Sequence, residues 1–361
     1  MNRRAIGALS ADLLAAREHF ARVTAGFEGA RLLGPKLDIV NPPLWEIGHV
    51  AWFQEHWCLR WENGRRARDS ILPNADALYD SSAVAHDTRW DLPLPSLADT
   101  RAYLGNVLER TLRRAEREPE NEALTYFVRL CTLHEDMHAE ALHYTHQTLG
   151  YPDPLLESKA DSSSDPAFVE FPGGRLRLGA ERGREDFVFD NEKWAHDVEL
   201  EPFAISARPV TNGEYLEYVA DGGPAPRYWR RGDGGWEERR FDRWVPVDKD
   251  EPVRHVSWDE ARLWCRWAGR RLPTEAEWQR AADRLDWGSV WEWTESTFEP
   301  FPGFSADPYA DYSQPWFHTH KVLKGASFAT PPRVARATFR NFYLPQRADI
   351  FAGFRTCRID A

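Results

Sequence analysis

The chain has 361 residues, a hydrophobic fraction of 42% that includes 17 Trp and 19 Phe, and a formal net charge of −11 at pH 7. This length predicts two domains, and the apolar content is enough for a core in each, which excludes a disordered chain. The negative charge and the scattered basic residues exclude nucleic acid and an anionic membrane as main partners. No apolar run reaches the roughly 18 residues of a membrane span, and the four cysteines contain no CxxC pair, so we expect a cytoplasmic protein with free thiols.

The first part of the chain has apolar residues at helical spacing in four segments, at 5–27, 43–62, 97–116 and 121–149. Pro42 and Pro43 mark the start of the second segment, because proline suits the first turn of a helix. Residues 63–96 have the composition of a loop. Residues 1–156 are therefore predicted to form a four-helix bundle with one long crossover, a fold that builds metal sites from facing helices.

The second part of the chain has a different character. Residues 157–166 contain a polar run of Asp and Ser and are predicted to be a linker. Short apolar runs separated by Gly, Pro, Asn and Asp follow, with three helical segments at 212–220, 258–268 and 274–282. We expect residues 167–361 to form an irregular, loop-rich α+β domain, so the fold class is mixed, with a helical and an α+β domain.

The fourth predicted helix contains a pair of candidate metal ligands, His134 and His138. Residues four apart stack on one face of a helix, so both imidazoles can bind one metal ion. We predict His49, which lies among apolar residues of the second helix, as the third ligand, with His56 as the alternative. Three neutral histidines suit zinc, or iron(II) with open positions, and the spacing does not separate the two.

The same stretch also fits the H-E-x-x-H pattern of zinc peptidases. That interpretation needs Glu135 as general base and a third ligand downstream. His143 and His146 lie on the same helix but turn away from the pair, so we expect them at the surface or in a structural role, which disfavours a peptidase. Glu140 is about 200° around the helix from His138, so we predict a contact outside the ligand set.

The second domain carries a series of motifs that together resemble the formylglycine-generating-enzyme (sulfatase-modifying factor) fold, which is C-type-lectin-like. The motifs are F-P-G-G at 171–174, D-N-E at 190–192, P-V-T-N-G-E-Y at 209–215, P-V-R-H-V-S-W at 252–258, R-L-P-T-E-A-E-W at 271–278, V-W-E-W-T at 290–294 and G-F-R at 353–355. No cysteine lies in 327–341, where the resemblance would require a copper-binding pair. We therefore expect a scaffold for a substrate pocket rather than formylglycine-generating activity.

A DinB-like helical bundle followed by this domain resembles the ergothioneine-synthase family. These are non-haem iron(II) enzymes that join a sulfur donor to hercynine (trimethylhistidine) using O2. The resemblance implies His49, His134 and His138 as iron ligands, and it moves the preferred metal from zinc to Fe(II).

The family's R-N-x-x-x-P-x-R segment appears here at 340–347. The resemblance implies that Asn341 and Phe342, which replaces the usual Trp, contact hercynine. Tyr343 stands where enzymes that use γ-glutamylcysteine have an Asp. Arg347 matches an arginine that holds a carboxylate of the donor.

Three other positions follow from the same resemblance. Met137 replaces a polar residue, often Gln, in the histidine motif and is a candidate substrate contact. The segment 301–304, which matches the family's catalytic tyrosine, has Phe at both aromatic positions and leaves Tyr309 and Tyr312 as candidate proton donors.

The positions that differ from the ergothioneine-synthase pattern lie on the side of the expected pocket that would bind the sulfur donor. Without the carboxylate partner, the amino-acid end of a thiol donor would be left unpaired, whereas a neutral sugar needs no such partner. This pattern resembles the selenoneine synthases, the branch that joins a 1-seleno-sugar to hercynine. The stretch 87–95 also resembles that branch, which makes Arg89 a candidate pocket residue; the alternative is a surface arginine.

The expected function is therefore O2-dependent formation of a C–Se or C–S bond at the imidazole C2 of hercynine. Ergothioneine synthesis with γ-glutamylcysteine or another thiol is the nearest alternative. A zinc DinB-like thiol transferase and a non-enzymatic binding module are alternatives from other classes.

Overall fold

The computed structural model describes residues 3–155 and 167–359. The chain divides into two compact units, Met1–Leu156 and Glu157–Ala361, which are described separately. The predicted linker, residues 157–166, lies outside the described residues. The first unit is helical and the second contains several sheets, so the expected mixed fold class is confirmed.

The first unit is built from four long helices and a short one. They are α1 (Arg3–Thr24), α2 (Pro43–Glu55), the short α3 (Ala75–Tyr79), α4 (Leu97–Arg117) and α5 (Glu122–Leu149). Along the described residues, none of the helices is long and apolar enough to cross a membrane.

Helix α2 ends earlier than the sequence predicts. The chain continues as a π-helical turn, His56–Arg60, and then forms a small hairpin of β1 (Trp61–Glu62) and β2 (Arg65–Arg66). The predicted loop 63–96 thus contains β2 and α3, two elements that are too short to show a periodic pattern.

Local sequence signals determine where the long helices begin and end. Pro43 occupies the first turn of α2, where a missing N–H costs nothing. The side chains of Ser96 and Asn121 accept backbone N–H groups at the starts of α4 and α5. Helix α5 ends at Gly150, whose φ of 66° lies in the left-handed region that glycine adopts readily.

One buried arginine connects the four long helices. Arg17 of α1 donates from Nε to Glu135 of α5 at 2.5 Å, from Nη1 to the Leu104 carbonyl of α4 at 2.7 Å, and from Nη2 to Gln54 of α2 at 2.7 Å. A guanidinium suits this role because it presents five N–H donors in a rigid plane. The bundle is therefore held together at this level by polar contacts as well as by its apolar core.

The second unit contains two four-stranded sheets, a two-stranded sheet and a three-stranded sheet within residues 167–359. Its strands are β3 (Phe168–Phe171), β4 (Gly174–Leu178), β5 (His196–Leu200), β6 (Phe203–Ser206), β7 (Trp229–Gly232), β8 (Gly235–Arg240), β9 (Arg243–Pro246), β10 (Arg270–Arg271), β11 (Trp291–Thr297), β12 (Lys321–Gly325), β13 (Asn341–Tyr343), β14 (Ala352–Gly353) and β15 (Cys357–Arg358). The larger sheets have the orders β10–β15–β6–β3 and β13–β12–β11–β14, β4 pairs with β5, and β7–β8–β9 form the third sheet. Neighbouring strands are antiparallel, except that β11 and β14 run parallel.

The three helices of the second unit lie where the sequence predicts them. Each begins with a capping box, in which a Ser or Thr hydroxyl accepts a backbone N–H and a Glu three residues later bonds back. The helices and their capping pairs are α6 (Asn212–Ala220; Thr211 and Glu214), α7 (Trp258–Trp267; Ser257 and Glu260) and α8 (Glu275–Ala281; Thr274 and Glu277).

Charged residues of the sequence motifs form buried ion pairs in the second unit. Arg355 and Glu292 are both fully buried and bind each other through two hydrogen bonds. Arg340 holds Glu275 at 2.8 and 2.9 Å. Because Arg340 directly precedes Asn341, this second pair anchors the start of the segment that the resemblance assigns to substrate binding.

Candidate metal centre and substrate residues

Three histidines from α2 and α5 converge inside the first unit. His49 Nε2 lies 3.3 Å and His138 Nε2 lies 3.1 Å from His134 Nε2. Two nitrogens bound to one ion at about 2.1 Å are roughly 3.0–3.4 Å apart, so this spacing fits a shared metal. In the part of the chain that the structure describes, this is the only group of three or more His, Cys or acidic residues with ligand atoms within 4.8 Å of one another.

For His49 and His138, the hydrogen-bond partner of Nδ1 determines which ring nitrogen faces the centre. His49 Nδ1 lies 2.8 Å from the Tyr79 carbonyl oxygen, and His138 Nδ1 lies 2.7 Å from Glu46 Oε1. Both oxygens are acceptors, so each Nδ1 carries the hydrogen and each Nε2 presents its lone pair to the centre. A metal ion beside these two Nε2 atoms could accept both lone pairs.

Burial keeps the centre in the form that binds metal. Desolvation lowers the pKa of His49 and His134 well below the ordinary 6.5, because burial disfavours the charged imidazolium. Both imidazoles are therefore neutral at pH 7, as metal ligation requires.

Aromatic rings fix the planes of the two buried imidazoles. Phe53 stacks on His134 with ring centroids 3.6 Å apart and an interplanar angle of 4°. Trp45 stacks on His49 at 4.9 Å and 11°. The side chain of His138 is the exception, since it is 19% exposed and marks the accessible side of the centre. Met137, beside it, is half-buried.

The other candidates around the histidine motif lie outside this group of three. His56, the alternative ligand, packs among Trp52, Trp57 and Trp61. Glu140 is buried but is not a member of the group, in line with its predicted place outside the ligand set.

The remaining members of the stretch also have other surroundings. His143 and His146 are buried rather than at the surface. Glu135 binds Arg17 with both carboxylate oxygens, at 2.5 and 3.2 Å, so it is not available as the general base that a peptidase would need.

Arg89 is buried beside the centre and is not a surface arginine, being only 8% exposed. Its guanidinium lies 3.9 Å over the Trp45 ring and donates to Asn41 at 2.7 Å and to the Val84 carbonyl at 3.1 Å. These contacts hold Arg89 against the ring that stacks on His49. Its role in substrate binding stays a prediction.

In the second unit, the predicted substrate residues occupy two faces of one strand. Asn341, Phe342 and Tyr343 form β13, and successive side chains of a strand point to opposite faces. Phe342 stacks on Phe298 at 4.2 Å and 13°. Asn341 and Tyr343 share the other face.

Arg347 lies near that second face, with its guanidinium 5.1 Å from the centre of the Tyr343 ring. It is also bonded twice to the buried carboxylate of Asp349, at 2.6 Å each. Its positive charge is therefore already balanced within the unit. Whether these four residues contact substrate stays a prediction from the resemblance.

Of the two candidate proton donors, Tyr312 lies next to Phe342. Its ring meets the Phe342 ring edge-on at 5.7 Å and stacks on Phe189 at 4.2 Å. Tyr309 lies one ring further out, 5.9 Å from Tyr312. Desolvation, reinforced by the charge of Glu192, raises the pKa of Tyr312 well above its ordinary value of 10.0, so its phenol keeps its proton at neutral pH.

Two groups around the metal centre were missed by the sequence prediction. Glu46 could have been found, because it lies three residues before His49 and therefore on the same face of α2. The Tyr79 carbonyl could not, because a backbone group in a crossover carries no sequence signal.

Comparison with known proteins agrees with this two-part organisation. Residues 7–142 match the DinB superfamily, and residues 154–287 and 285–359 match the sulfatase-modifying factor enzyme 1-like domain. The hercynine oxygenase of Mycolicibacterium smegmatis is 31% identical and that of Mycobacterium tuberculosis 32% identical, each over 96% of this chain and 97% of the relative. Ergothioneine biosynthesis protein 1 of Schizosaccharomyces pombe is 24% identical over 84% of this chain and 50% of that protein.

The similarity to the hercynine oxygenases thus covers both units and is not confined to the widespread second domain. The resemblance to the ergothioneine-synthase family is confirmed, whereas membership of the selenoneine branch stays a prediction. The chain belongs to the hercynine oxygenase family.

Proposed function

We propose that this protein is an Fe(II)- and O2-dependent enzyme that joins selenium from a 1-seleno-sugar to the imidazole C2 of hercynine. The observation that carries the proposal is the convergence of three histidine Nε2 atoms in a chain of the hercynine oxygenase family. In the reaction, the C2–H and Se–H bonds break and a C2–Se bond forms. O2 takes up the electrons, with one oxygen atom leaving as water and the other on selenium.

His49, His134 and His138 would hold the iron, which leaves open positions for the chalcogen donor and O2. The carbonyl of Tyr79 and the carboxylate of Glu46 keep two of these rings in the tautomer that binds metal. Tyr312, which is protonated at neutral pH, is the candidate proton donor. Phe342 and Asn341 are the candidate contacts of hercynine.

A neutral donor is supported by two features of the second unit. Tyr343 offers no carboxylate to neutralise the ammonium group of an amino-acid thiol. Arg347 is already paired with Asp349 and so does not need a carboxylate from the donor. An amino-acid donor would leave its own charges unpaired, which is costly in a pocket shielded from water.

The test is anaerobic reconstitution with Fe(II), followed by exposure to O2 with hercynine and either a 1-seleno-sugar or γ-glutamylcysteine, with the products identified by mass. We expect a selenium adduct of hercynine from the seleno-sugar. A γ-glutamylcysteine adduct alone would assign the protein to ergothioneine synthesis. Turnover with zinc and without O2 consumption would overturn the iron assignment in favour of a thiol transferase.

Tyr343 allows a sharper test of donor choice. The substitution Tyr343→Asp is expected to shift the ratio of rates toward γ-glutamylcysteine, because the new carboxylate can pair with the donor ammonium. Tyr343→Phe, which keeps the ring and adds no charge, is the matched control and should retain the preference of the parent. Equal ratios for all three proteins would show that Tyr343 does not face the donor.

A further inference from the structure

Glu46 is a carboxylate that contacts the histidine group. It lies in the first turn of α2, one helical turn before His49, and its Oε1 is 2.7 Å from His138 Nδ1. The residue is 3% exposed. Helix α2 therefore supplies both one candidate ligand and the partner of a ligand from α5.

The Nδ1 atoms of His49 and His138 have hydrogen-bond partners of different charge. His49 donates to a neutral backbone carbonyl, whereas His138 donates to a carboxylate. A carboxylate makes the imidazole a stronger electron donor than a carbonyl does, because its negative charge stabilises positive charge on the ring. The outer contacts thus differ in charge between these two candidate ligands.

A buried carboxylate is costly unless positive charge lies nearby. Arg89 is part of that balance, because it is buried over Trp45, the neighbour of Glu46, and its charge acts on the Glu46 carboxylate. A divalent ion at the three Nε2 atoms would add positive charge on the other side of His138. Glu46 is therefore a negative charge set in place before the metal arrives.

We propose that Glu46 is a positioning residue of the metal centre, which fixes the His138 ring with Nε2 toward His134 and strengthens metal binding through its charge. The inference depends on the three-histidine centre and not on the identity of the donor or of hercynine as substrate.

The test is the affinity of the purified full-length protein for Co(II), measured by competition with a chromophoric chelator in the absence of substrates. The variant Glu46→Gln keeps the size of the side chain and an oxygen acceptor but removes the charge. We expect it to bind Co(II) about 10–100-fold more weakly than the parent. The absorption spectrum of bound Co(II) should also change, because the donor strength of His138 changes.

Glu55→Gln is the matched control. Glu55 is a buried carboxylate on the same helix, but its partners are Tyr103, Ser70 and the Ile71 N–H. This variant should retain the parent's Co(II) affinity even if its melting temperature falls. Circular dichroism of the metal-free proteins checks that each variant is folded.

Unchanged Co(II) affinity and spectrum in a folded Glu46→Gln protein would overturn the inference, and so would an equal loss in both variants. Because no substrate is present, these outcomes are independent of the donor experiment. If the Co(II) result is as expected and no hercynine product forms, only the proposed function fails.

Discussion

Gly48 allows Tyr79 to reach the metal centre. A Cβ at this position would lie 2.2 Å from the Tyr79 ring, far closer than a carbon–carbon contact permits. The Tyr79 carbonyl is the acceptor for His49 Nδ1. The absence of a side chain at Gly48 thus leaves room for Tyr79, whose carbonyl oxygen is the partner of the neighbouring His49.

We predict that Gly48→Ala destabilises the protein by about 1–3 kcal/mol through overpacking and also weakens metal binding. Urea unfolding and Co(II) titration measure the two effects. Gly105 is the control, because it lies within α4 and a Cβ there meets nothing within 4 Å. Gly105→Ala should be neutral or should stabilise by about 0.5–1 kcal/mol. If Gly48→Ala behaves like Gly105→Ala, the close contact between Gly48 and Tyr79 contributes neither to stability nor to metal binding.

At this scale, sequence spacing was enough to nominate the residues that converge. Helical periodicity places His134 and His138 on one face, and His49 was predicted as a ligand because it is a polar residue within an apolar helix. The partners that orient them depend on packing between elements distant in sequence. His49 and Tyr79 illustrate this, because they are 30 positions apart and no local pattern relates them.

At the scale of helices, the Arg17–Glu135 pair holds α1 against α5. The Arg17 side chain is 10% exposed and that of Glu135 is 1% exposed. Removing one member of a buried pair leaves an uncompensated charge, which typically costs about 3–5 kcal/mol. We predict that Arg17→Met lowers the free energy of unfolding of the bundle by an amount in this range, measured by urea unfolding followed by helical circular dichroism.

The double variant Arg17→Met with Glu135→Met tests the cause. It removes both charges, so most of the lost stability should return. If the double variant is as unstable as Arg17→Met, the loss comes instead from the contacts of Arg17 with Gln54 and Leu104.

Elements with strong local signals were predicted well, and elements without them were missed. The capping boxes that begin at Thr211, Ser257 and Thr274 start helices close to the predicted bounds. In contrast, α2 was extended too far, because the apolar pattern continues through the π-helical turn His56–Arg60. The strand β13 shows a similar limit, since the resemblance names its residues but not the face each occupies.

At the scale of the whole molecule, buried histidines link stability to pH. Burial lowers the pKa of His146 from 6.5 to about 4. Between these values the unfolded chain binds a proton that the folded chain does not. The contribution of His146 is therefore fully present above pH 6.5 and is lost as pH falls toward 4, by up to about 1.4 kcal/mol per pH unit.

We predict that His146→Gln flattens this acid dependence by about one proton, while its amide can still donate to the Val23 carbonyl. Urea unfolding at several pH values between about 4 and 7 measures the slope. A slope equal to that of the parent would mean that other groups account for the acid sensitivity.

The four cysteines are all buried, two in each unit. Burial raises the pKa of Cys265 to about 12 and that of Cys131 well above the usual 9.0. Buried neutral thiols react slowly, so we predict no fast reaction of the native protein with a thiol reagent, and four reactive thiols after unfolding. Only two thiols after unfolding without reductant would indicate a disulfide, for which Cys58 and Cys131 are the candidates because their sulfurs lie 3.6 Å apart.

The origin of the three histidines on two helices sets the order in which the centre can mature. His134 and His138 meet as soon as α5 becomes helical, whereas His49, 85 positions away, joins them only when α2 docks. If the three histidines hold a metal ion as proposed, an ion that meets the chain before α2 docks would find only two of the three ligands. Complete metal binding would then require an assembled bundle, so the metal content of a preparation would report the fraction of molecules in which α2 has docked.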